Sequence, residues 1–141
     1  MTTHAQAAQF AAGGFLLRFG RGPTLTERQA LCGVGRLETG YGDWWKKAGV
    51  GSNNIGAIQA SRPPCNPDTT FQYTDTHPNA DGSSTPYSIC FKKYPSPDEG
   101  WADLVRVMYG SPEKPKAALV AATRGDLYGV SAAMRAAGYY E

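Results

Sequence analysis

The chain is 141 residues long, which fits a single domain with a modest hydrophobic core. Its formal net charge of +2 is too small to indicate nucleic-acid binding, and no run of Lys or Arg forms a basic stripe. The longest apolar stretch near the start, residues 10–17, is too short to span a bilayer and contains Gly13 and Gly14. We therefore expect one domain over residues 1–141, with neither a nucleic-acid partner nor a membrane span.

The N-terminal segment, residues 3–19, predicts a first helix that is rich in Ala and carries Phe10 and Leu17 on one side. It lacks the basic region, the apolar run and the small-residue cleavage site of a secretory signal. A Gly- and Pro-containing stretch, residues 20–23, predicts a turn after this helix.

The second predicted helix begins at a capping box. Thr24 and Glu27 have the S/T-x-x-E spacing in which each side chain binds a free backbone N–H of the first turn. Apolar residues then recur at helical spacing through Val34 to Leu37. Gly40 predicts the end of the helix, because glycine adopts the left-handed backbone that terminates helices.

Glu38 stands at the end of this helix, four residues after Val34 and seven after Leu31, and so points along its apolar face. Apolar surroundings raise the pKa of a carboxyl group, and the negative end of the helix dipole acts in the same direction. A glutamic acid that stays protonated near neutral pH is the proton donor that glycosidases use. The alternative is a glutamate that simply reaches solvent at a frayed helix end.

The chain contains three cysteines, so at least one has no partner within it. Cys65 and Cys90 flank the same loop-rich segment and are candidates for a disulfide, whereas Cys32 lies in the second helix and is expected to pack as a small apolar group. His4 and His77 are far apart, and the cysteines and histidines show no metal-ligand spacing. We expect neither a metal ion nor a cofactor.

A small β-lobe is predicted over about residues 61–95. Pro, Asn, Asp, Thr and Ser dominate its first part, and helical periodicity disappears. Residues 71–76 and 87–91 alternate apolar and polar side chains, as strands do, and Asp81-Gly82 between them is a turn signal. The composition therefore predicts a β-hairpin inserted between helices.

Helices resume at Ser96 and Glu99, a second capping box with a proline at the first helical position. An amphipathic stripe follows at helical spacing: Trp101, Leu104, Val105 and Met108. Residues 115–123 and 126–137 predict two further helices, the last ending at Gly138. The fold class is α+β, mostly α, with a cleft between the helices and the β-lobe.

Four short segments, in order along the chain, resemble one family. Residues 35–42 are GRLETGYG, which is similar to the ESGWG-like element around the catalytic acid of lysozyme-like peptidoglycan hydrolases. Residues 53–59 (NNIGAIQ), 91–97 (FKKYPSP) and 136–139 (AAGY) resemble the N-x-F/I-G-I-K, F-R-x-Y-x-S and AGYATD elements of the flagellar-type glucosaminidases, glycoside hydrolase family 73. Each segment is short, but their shared order and spacing cover most of the chain.

The resemblance implies a lysozyme-like fold and cleavage of the N-acetylglucosaminyl β-1,4 bond in peptidoglycan, with Glu38 as proton donor. The second carboxylate of the family lies in the β-lobe, where Asp75 takes its place, with Asp68 and Asp81 as competing candidates. Asp75 is one methylene shorter than the usual Glu. The family's cleft tyrosine matches Tyr139, in preference to its neighbour Tyr140.

Further side chains are candidates for holding the glycan. Aromatic rings that are suited to stacking on sugars are those of Tyr41, Trp44, Trp45 and Tyr73. The amides of Asn54 and Gln59 are candidates for binding the acetamido groups of the substrate, although Asn54 equally suits the local turn.

The sequence leaves several activities open. The same fold can act as a muramidase or a lytic transglycosylase, and a chain with a shortened lobe carboxylate can be a non-catalytic peptidoglycan-binding module or a virion or scaffold component. A hydrolase of this kind acts on the cell wall, in the periplasm or outside the cell. Without a recognisable leader, we expect phage-borne delivery, non-classical export or injection. An immunity or delivery protein is compatible with such a route, but no residue indicates one.

Overall fold

A computed structural model describes residues 1–139 of the chain. Tyr140, the less favoured tyrosine candidate, lies outside the described residues. The helices are α1 (His4–Phe19), α2 (Leu25–Thr39), α3 (Asp43–Lys47), α4 (Pro97–Tyr109), α5 (Ala117–Thr123) and α6 (Leu127–Ala136). The strands are β1 (Gln59–Ser61), β2 (Thr70–Pro78) and β3 (Ser84–Lys92). No helix within residues 1–139 has the length and apolarity needed to cross a membrane.

Helix α4 is the centre of the core, and its predicted stripe is confirmed. Its fully or almost fully buried apolar side chains are Trp101, Leu104, Val105 and Met108. Helix α1 crosses α4 at Gly14, where an added Cβ would lie 2.5 Å from the Cβ of Trp101. This close approach places small residues of α1 against α4, so that Phe10 and Leu17 face outward, 36% and 62% exposed. The predicted helix is confirmed, and the side that carries Phe10 and Leu17 is its outward one.

Helix α2 begins at the predicted capping box, in which Thr24 and Glu27 bind each other's backbone N–H groups. Leu31 and Val34 are buried as expected, but Leu37 is 73% exposed. At 3.6 residues per turn, the six residues from Leu31 to Leu37 rotate the side chain about 120° away from the core face. Leu37 therefore points to solvent, whereas Thr39 in the same turn is completely buried.

The β-lobe is a three-stranded antiparallel sheet with the order β1-β3-β2. Strands β2 and β3 form the predicted hairpin, with Pro78 paired with Ser84 at the end next to the turn. Strand β1 pairs with β3 and was not predicted, because three residues are too few to show an alternating pattern. The sheet thus begins at residue 59, slightly before the predicted start of the lobe.

The predicted disulfide is confirmed: Cys65 is bonded to Cys90 and ties the loop before β2 to strand β3. Cys90 is completely buried. Cys32 is a free, buried thiol in α2, also as predicted. The disulfide fixes the part of the sheet that lies closest to the helices.

Trp45 joins the helices to the sheet. Its indole Nε1 donates a hydrogen bond to the carbonyl oxygen of Asn54 at 2.8 Å. Its ring packs against three aromatic rings of the sheet, at centroid distances of 5.0 Å to Phe71, 5.5 Å to Tyr73 and 5.2 Å to Phe91. Helix α3 is therefore held against the inner face of the β-lobe, and the candidate site lies at this junction.

Candidate active site

A cavity of about 230 Å³ lies between the end of α2, helix α3 and the sheet. It brings together five of the residues singled out from the sequence: Glu38, Trp44, Trp45, Tyr73 and Asp75. Its complete lining is Glu38, Trp44, Trp45, Ala48, Ala57, Tyr73, Asp75 and Phe91. One wall comes from the helices and the other from the β-lobe, as expected for a site between two lobes.

Glu38 is the penultimate residue of α2 and is half-buried. Burial raises the pKa of its carboxyl group above the ordinary value of 4.5. The protonated acid is therefore favoured at a pH where an exposed glutamate is ionised. A neutral carboxyl group that faces a cavity can donate its proton to a bound molecule.

The position of Glu38 is fixed by the hydrogen bonds of its neighbour Thr39, whose side chain is completely buried. The Thr39 hydroxyl donates to the carbonyl oxygen of Ile55 at 2.7 Å and accepts from the N–H of Gly42 at 2.8 Å. Gly40 ends the helix in the left-handed conformation, with φ of 58°. These contacts set the direction of the last turn of α2 and start α3 directly after it.

Two aromatic side chains form accessible walls of the cavity. Trp44 is 56% exposed and Tyr73 is 39% exposed, so both rings present area to a ligand. Trp44 also packs over Gly40, where an added Cβ would lie 3.1 Å from the indole Nε1. Trp45, by contrast, is buried and serves the packing described above. The two exposed rings are suited to stacking on sugars, and Trp45 supports them.

Asp75 supplies the second carboxyl group of the cavity. It lies on β2, directly opposite Tyr87 on β3, and is exposed. Its Oδ1 accepts a hydrogen bond from the N–H of Thr76 at 2.8 Å. The competing candidates do not line the cavity: Asp68 lies in the loop before β2, and Asp81 binds Ser83 in the hairpin turn. Of the three lobe aspartates considered, only Asp75 shares the cavity with Glu38.

Tyr41 does not reach this cavity. Its hydroxyl is 2.8 Å from Nδ1 of His4, and its ring packs towards Trp101 in the core. It lines a different, small cavity next to the N-terminus. Tyr41 itself has a positive φ of 61°, directly after the left-handed Gly40, and the two side chains, of Tyr41 and Glu38, line different cavities. Stacking of Tyr41 on the substrate stays a prediction, and the structure does not place this ring beside Glu38.

The two amide candidates are also placed elsewhere. Asn54 is completely buried, its amide nitrogen donates to the carbonyl oxygens of Ile58 and Lys92, and its Oδ1 accepts from the N–H of Ile58. It therefore holds the turn before β1, which was the alternative interpretation from sequence. Gln59 is exposed on the short strand β1, opposite Phe91, and does not line the cavity.

Tyr139 lies outside the Glu38 cavity as well. It lines a separate cavity of about 480 Å³ formed by α4, α5, α6 and the residues after α6. Gly138, with φ of 80°, turns the chain back after α6, and the Tyr139 N–H donates to the carbonyl oxygen of Met134. This turn directs the tyrosine towards Met108 and Ala118 rather than towards Glu38. The structure therefore places Tyr139 in a cavity other than that of Glu38, and the role that the resemblance implied for it stays a prediction.

Sequence reasoning missed three residues of the lining, Ala48, Ala57 and Phe91. The two alanines carry no reactive group that could have marked them. The alternation around Phe91 predicted a strand, but it could not indicate which face of the strand meets α3. Within the described range, no group of His, Cys, Asp and Glu side chains is arranged to hold a metal ion.

Comparison with solved structures finds the same fold in two bacterial proteins. The catalytic domain of the autolysin Auto from Listeria monocytogenes matches with a TM-score of 0.57 and 14% sequence identity, over 93% of this chain and 70% of that one. A C-terminally truncated glycoside hydrolase domain of FlgJ from Salmonella typhimurium matches with a TM-score of 0.52 and 15% identity, over 97% of this chain and 96% of that one.

The chain has the fold of these two domains. This confirms the mostly helical α+β architecture that the resemblance implied. No protein-family model matches the sequence, and no curated protein sequence matches it. At identities of 14% and 15%, the structural likeness establishes the fold alone. The chemistry is inferred from the residues of the site.

Proposed function

We propose that this protein hydrolyses β-1,4 glycosidic bonds in the glycan strands of peptidoglycan, at the N-acetylglucosaminyl bond, with Glu38 as general acid. The observation that carries the proposal is the half-buried Glu38, whose raised pKa keeps a proton available in a cavity that also holds Asp75. The accessible rings of Trp44 and Tyr73 give that cavity a surface suited to sugars. The protein then acts where the wall is, in the periplasm or outside the cell.

In the proposed reaction, Glu38 donates its proton to the glycosidic oxygen while positive charge develops on the sugar ring that is cleaved. The leaving sugar departs with that proton, and Glu38 becomes a carboxylate. Because burial disfavours the charged form, Glu38 readily takes up a proton again before the next cycle.

Asp75 has two alternative roles. At a carboxyl separation of about 6.5–9.5 Å it would activate a water molecule and invert the anomeric centre, whereas at about 5–5.5 Å it would act as nucleophile with retention. If Asp75 takes no part, attack by the substrate's own N-acetyl group or 6-hydroxyl group remains, and the 6-hydroxyl route makes the enzyme a lytic transglycosylase.

The structural neighbours agree with this proposal, because one is the catalytic domain of an autolysin and the other is a glycoside hydrolase domain. The resemblance in residues 35–42 points the same way and contains Glu38. These likenesses support hydrolysis of a glycan. Analysis of the products is needed to identify which bond is cleaved.

The test is product analysis by mass spectrometry after incubation of purified peptidoglycan with the native protein, Glu38→Gln and Glu113→Gln. Glu113 is an exposed glutamate that does not line the cavity and serves as the matched control. We expect fragments ending in reducing N-acetylglucosamine from the native protein and the control, and none from Glu38→Gln. Reducing muramic acid ends would indicate a muramidase, and anhydro ends a transglycosylase. Equal release by Glu38→Gln would contradict the proposal.

A non-catalytic peptidoglycan-binding module is the second candidate. The observation in its favour is Asp75, which is shorter than the glutamate usual in the family and whose Oδ1 is already bound to the Thr76 N–H. This candidate predicts that the native protein sediments with insoluble peptidoglycan but releases no fragments.

A further inference from the structure

The face of the β-hairpin that carries Asp75 continues beyond the cavity towards the hairpin turn. Side chains alternate along a strand, so Tyr73, Asp75 and His77 of β2 point to one face. Tyr87 is the direct partner of Asp75 on β3 and lies on that same face. The opposite face at this level carries a hydrogen-bonded pair, Thr74 and Ser88, whose hydroxyl oxygens are 2.8 Å apart.

At the outer end of this face, the rings of His77 and Tyr87 form a stacked pair. Their centroids are 4.3 Å apart and their planes differ by 20°. The two residues are diagonal neighbours across the strands, since His77 is paired directly with Thr85. His77 is exposed and Tyr87 is half-buried. His77 is two positions after Asp75, a distance of about 7 Å along β2.

We propose that the stacked pair of His77 and Tyr87 is a carbohydrate-binding platform that extends the Glu38 cavity along the β-lobe. Its ligand is a sugar of the same glycan strand, one position or more beyond the scissile bond. The inference rests on the proposed function for the identity of the polymer. Tyr73 and Asp75 line the cavity, and the pair lies on the same face of the hairpin, further towards the hairpin turn.

The chemistry of the pair fits this ligand. An aromatic ring offers an apolar face to the C–H groups of a sugar, while the Tyr87 hydroxyl and the imidazole nitrogens of His77 offer hydrogen bonds at the ring edges. Neither side chain makes a hydrogen bond to another group within residues 1–139, so these polar atoms are available to a ligand. The rings are already stacked, so binding orders little that was free before. The competing use of the pair is to stabilise the hairpin alone.

The test measures binding rather than cleavage, by calorimetric titration of proteins that carry Glu38→Gln. The probes are uncrosslinked peptidoglycan glycan strands freed of peptides by amidase digestion, as the disaccharide and as longer strands. His77→Ala and Tyr87→Ala are compared with Thr74→Ala, which removes a cross-strand contact from the opposite face of the same hairpin. Thermal unfolding of each variant establishes that the lobe is folded.

We expect Tyr87→Ala and His77→Ala to weaken the binding of longer strands about tenfold, with binding of the disaccharide and the behaviour of Thr74→Ala unchanged. Equal affinity of all variants for the longer strands would overturn the platform, as would failure of every protein to bind them. The proposed function is tested separately: it is contradicted if the native protein releases no fragments from peptidoglycan in the product analysis. If the native protein cleaves glycan but Tyr87→Ala and His77→Ala bind the longer strands as tightly as the parent, the proposed function stands and the platform is contradicted.

Discussion

Glu38 and Glu27 lie on the same helix, and the groups around them give them opposite properties. Burial alone would raise the pKa of Glu27, but hydrogen bonds from Arg21 and Thr24 bring it below the ordinary value. Its contact with Arg21, at 2.8 Å, makes it a buried, ionised, structural group. Glu38 has burial without a compensating cation, so its pKa rises. The same helix thus carries an ionised structural carboxylate near its start and a carboxyl group of raised pKa near its end.

The raised pKa of Glu38 predicts a pH-dependent effect of Glu38→Gln on stability. Below about pH 4.5, Glu38 is protonated in both the folded and the unfolded states, so the neutral Gln side chain is a close substitute. As the pH rises through the folded-state pKa, the native protein has to bury a charge and loses stability, whereas the variant does not. We expect the melting temperature of Glu38→Gln minus that of the native protein to increase with pH.

Melting temperatures measured by circular dichroism from acid to mildly alkaline pH check this, with Glu113→Gln as the control that stays parallel to the native protein. A difference between Glu38→Gln and native protein that is constant with pH would mean that the carboxyl group is not shielded from water.

Asp75 is expected to take part in the reaction because it is the lobe aspartate that shares the cavity with Glu38. Asp75→Asn keeps the size of the side chain and removes its charge, so we expect turnover to fall by at least about 100-fold. Asp68→Asn, outside the cavity, is expected to leave turnover unchanged. Initial rates of fragment release check both variants, and full turnover in Asp75→Asn would remove this residue from the mechanism.

The junction between α2 and α3 depends on a single buried hydroxyl. Thr39→Val keeps the shape of the side chain but leaves the Gly42 N–H and the Ile55 carbonyl oxygen without their partner. We expect a loss of about 2 kcal/mol in the free energy of unfolding. Thr39→Ser retains the hydroxyl and should lose much less. Denaturant unfolding of the two variants provides the comparison, and equal stabilities would show that these hydrogen bonds contribute little.

The β-lobe depends on its disulfide to hold the loop before β2. Cys65 and Cys90 are 25 residues apart, and closing a loop of this size stabilises a protein by about 3 kcal/mol. We therefore expect a reducing agent to lower the free energy of unfolding by about that amount. The double variant Cys65→Ala and Cys90→Ala should be less stable and insensitive to the reductant.

Cys32→Ala is the matched control for reduction, because it removes the free thiol and leaves the disulfide intact. It should respond to the reductant as the native protein does. If the stability of the native protein does not change on reduction, the disulfide is not what holds the lobe.

At the scale of the whole molecule, patterns that repeat along the chain predicted the fold well. The stripe from Trp101 to Met108, the capping box at Thr24, the hairpin turn and the disulfide were all predictable, because each depends on residues close in sequence or on a simple pairing rule. At Ser96 only half of the predicted capping box forms: the Ser96 hydroxyl accepts from the Glu99 N–H, but the Glu99 carboxylate accepts from the Ser96 hydroxyl instead of the Ser96 N–H. The side chains that meet across the two lobes were harder to predict. Tyr41, Asn54 and Tyr139 each belong to a matching motif, yet positive φ angles, a buried amide and a C-terminal turn direct them away from Glu38.

The site is a property of the two lobes together. Glu38 and Trp44 come from the helices, and Tyr73 and Asp75 come from the sheet, with Trp45 holding one against the other. Such an arrangement suits a linear polymer that lies between the lobes. In the proposed reaction, cleavage requires both walls, and proton donation by Glu38 is its central step.

The most direct measurement of that step compares two leaving groups. A sugar needs a proton to depart, whereas dinitrophenolate departs without one. We predict that Glu38→Gln loses about 10²–10⁴-fold in rate on peptidoglycan glycan strands but little on a dinitrophenyl glycoside of the same sugar. An equal loss on both substrates, or no loss on either, would contradict the role of Glu38 as general acid.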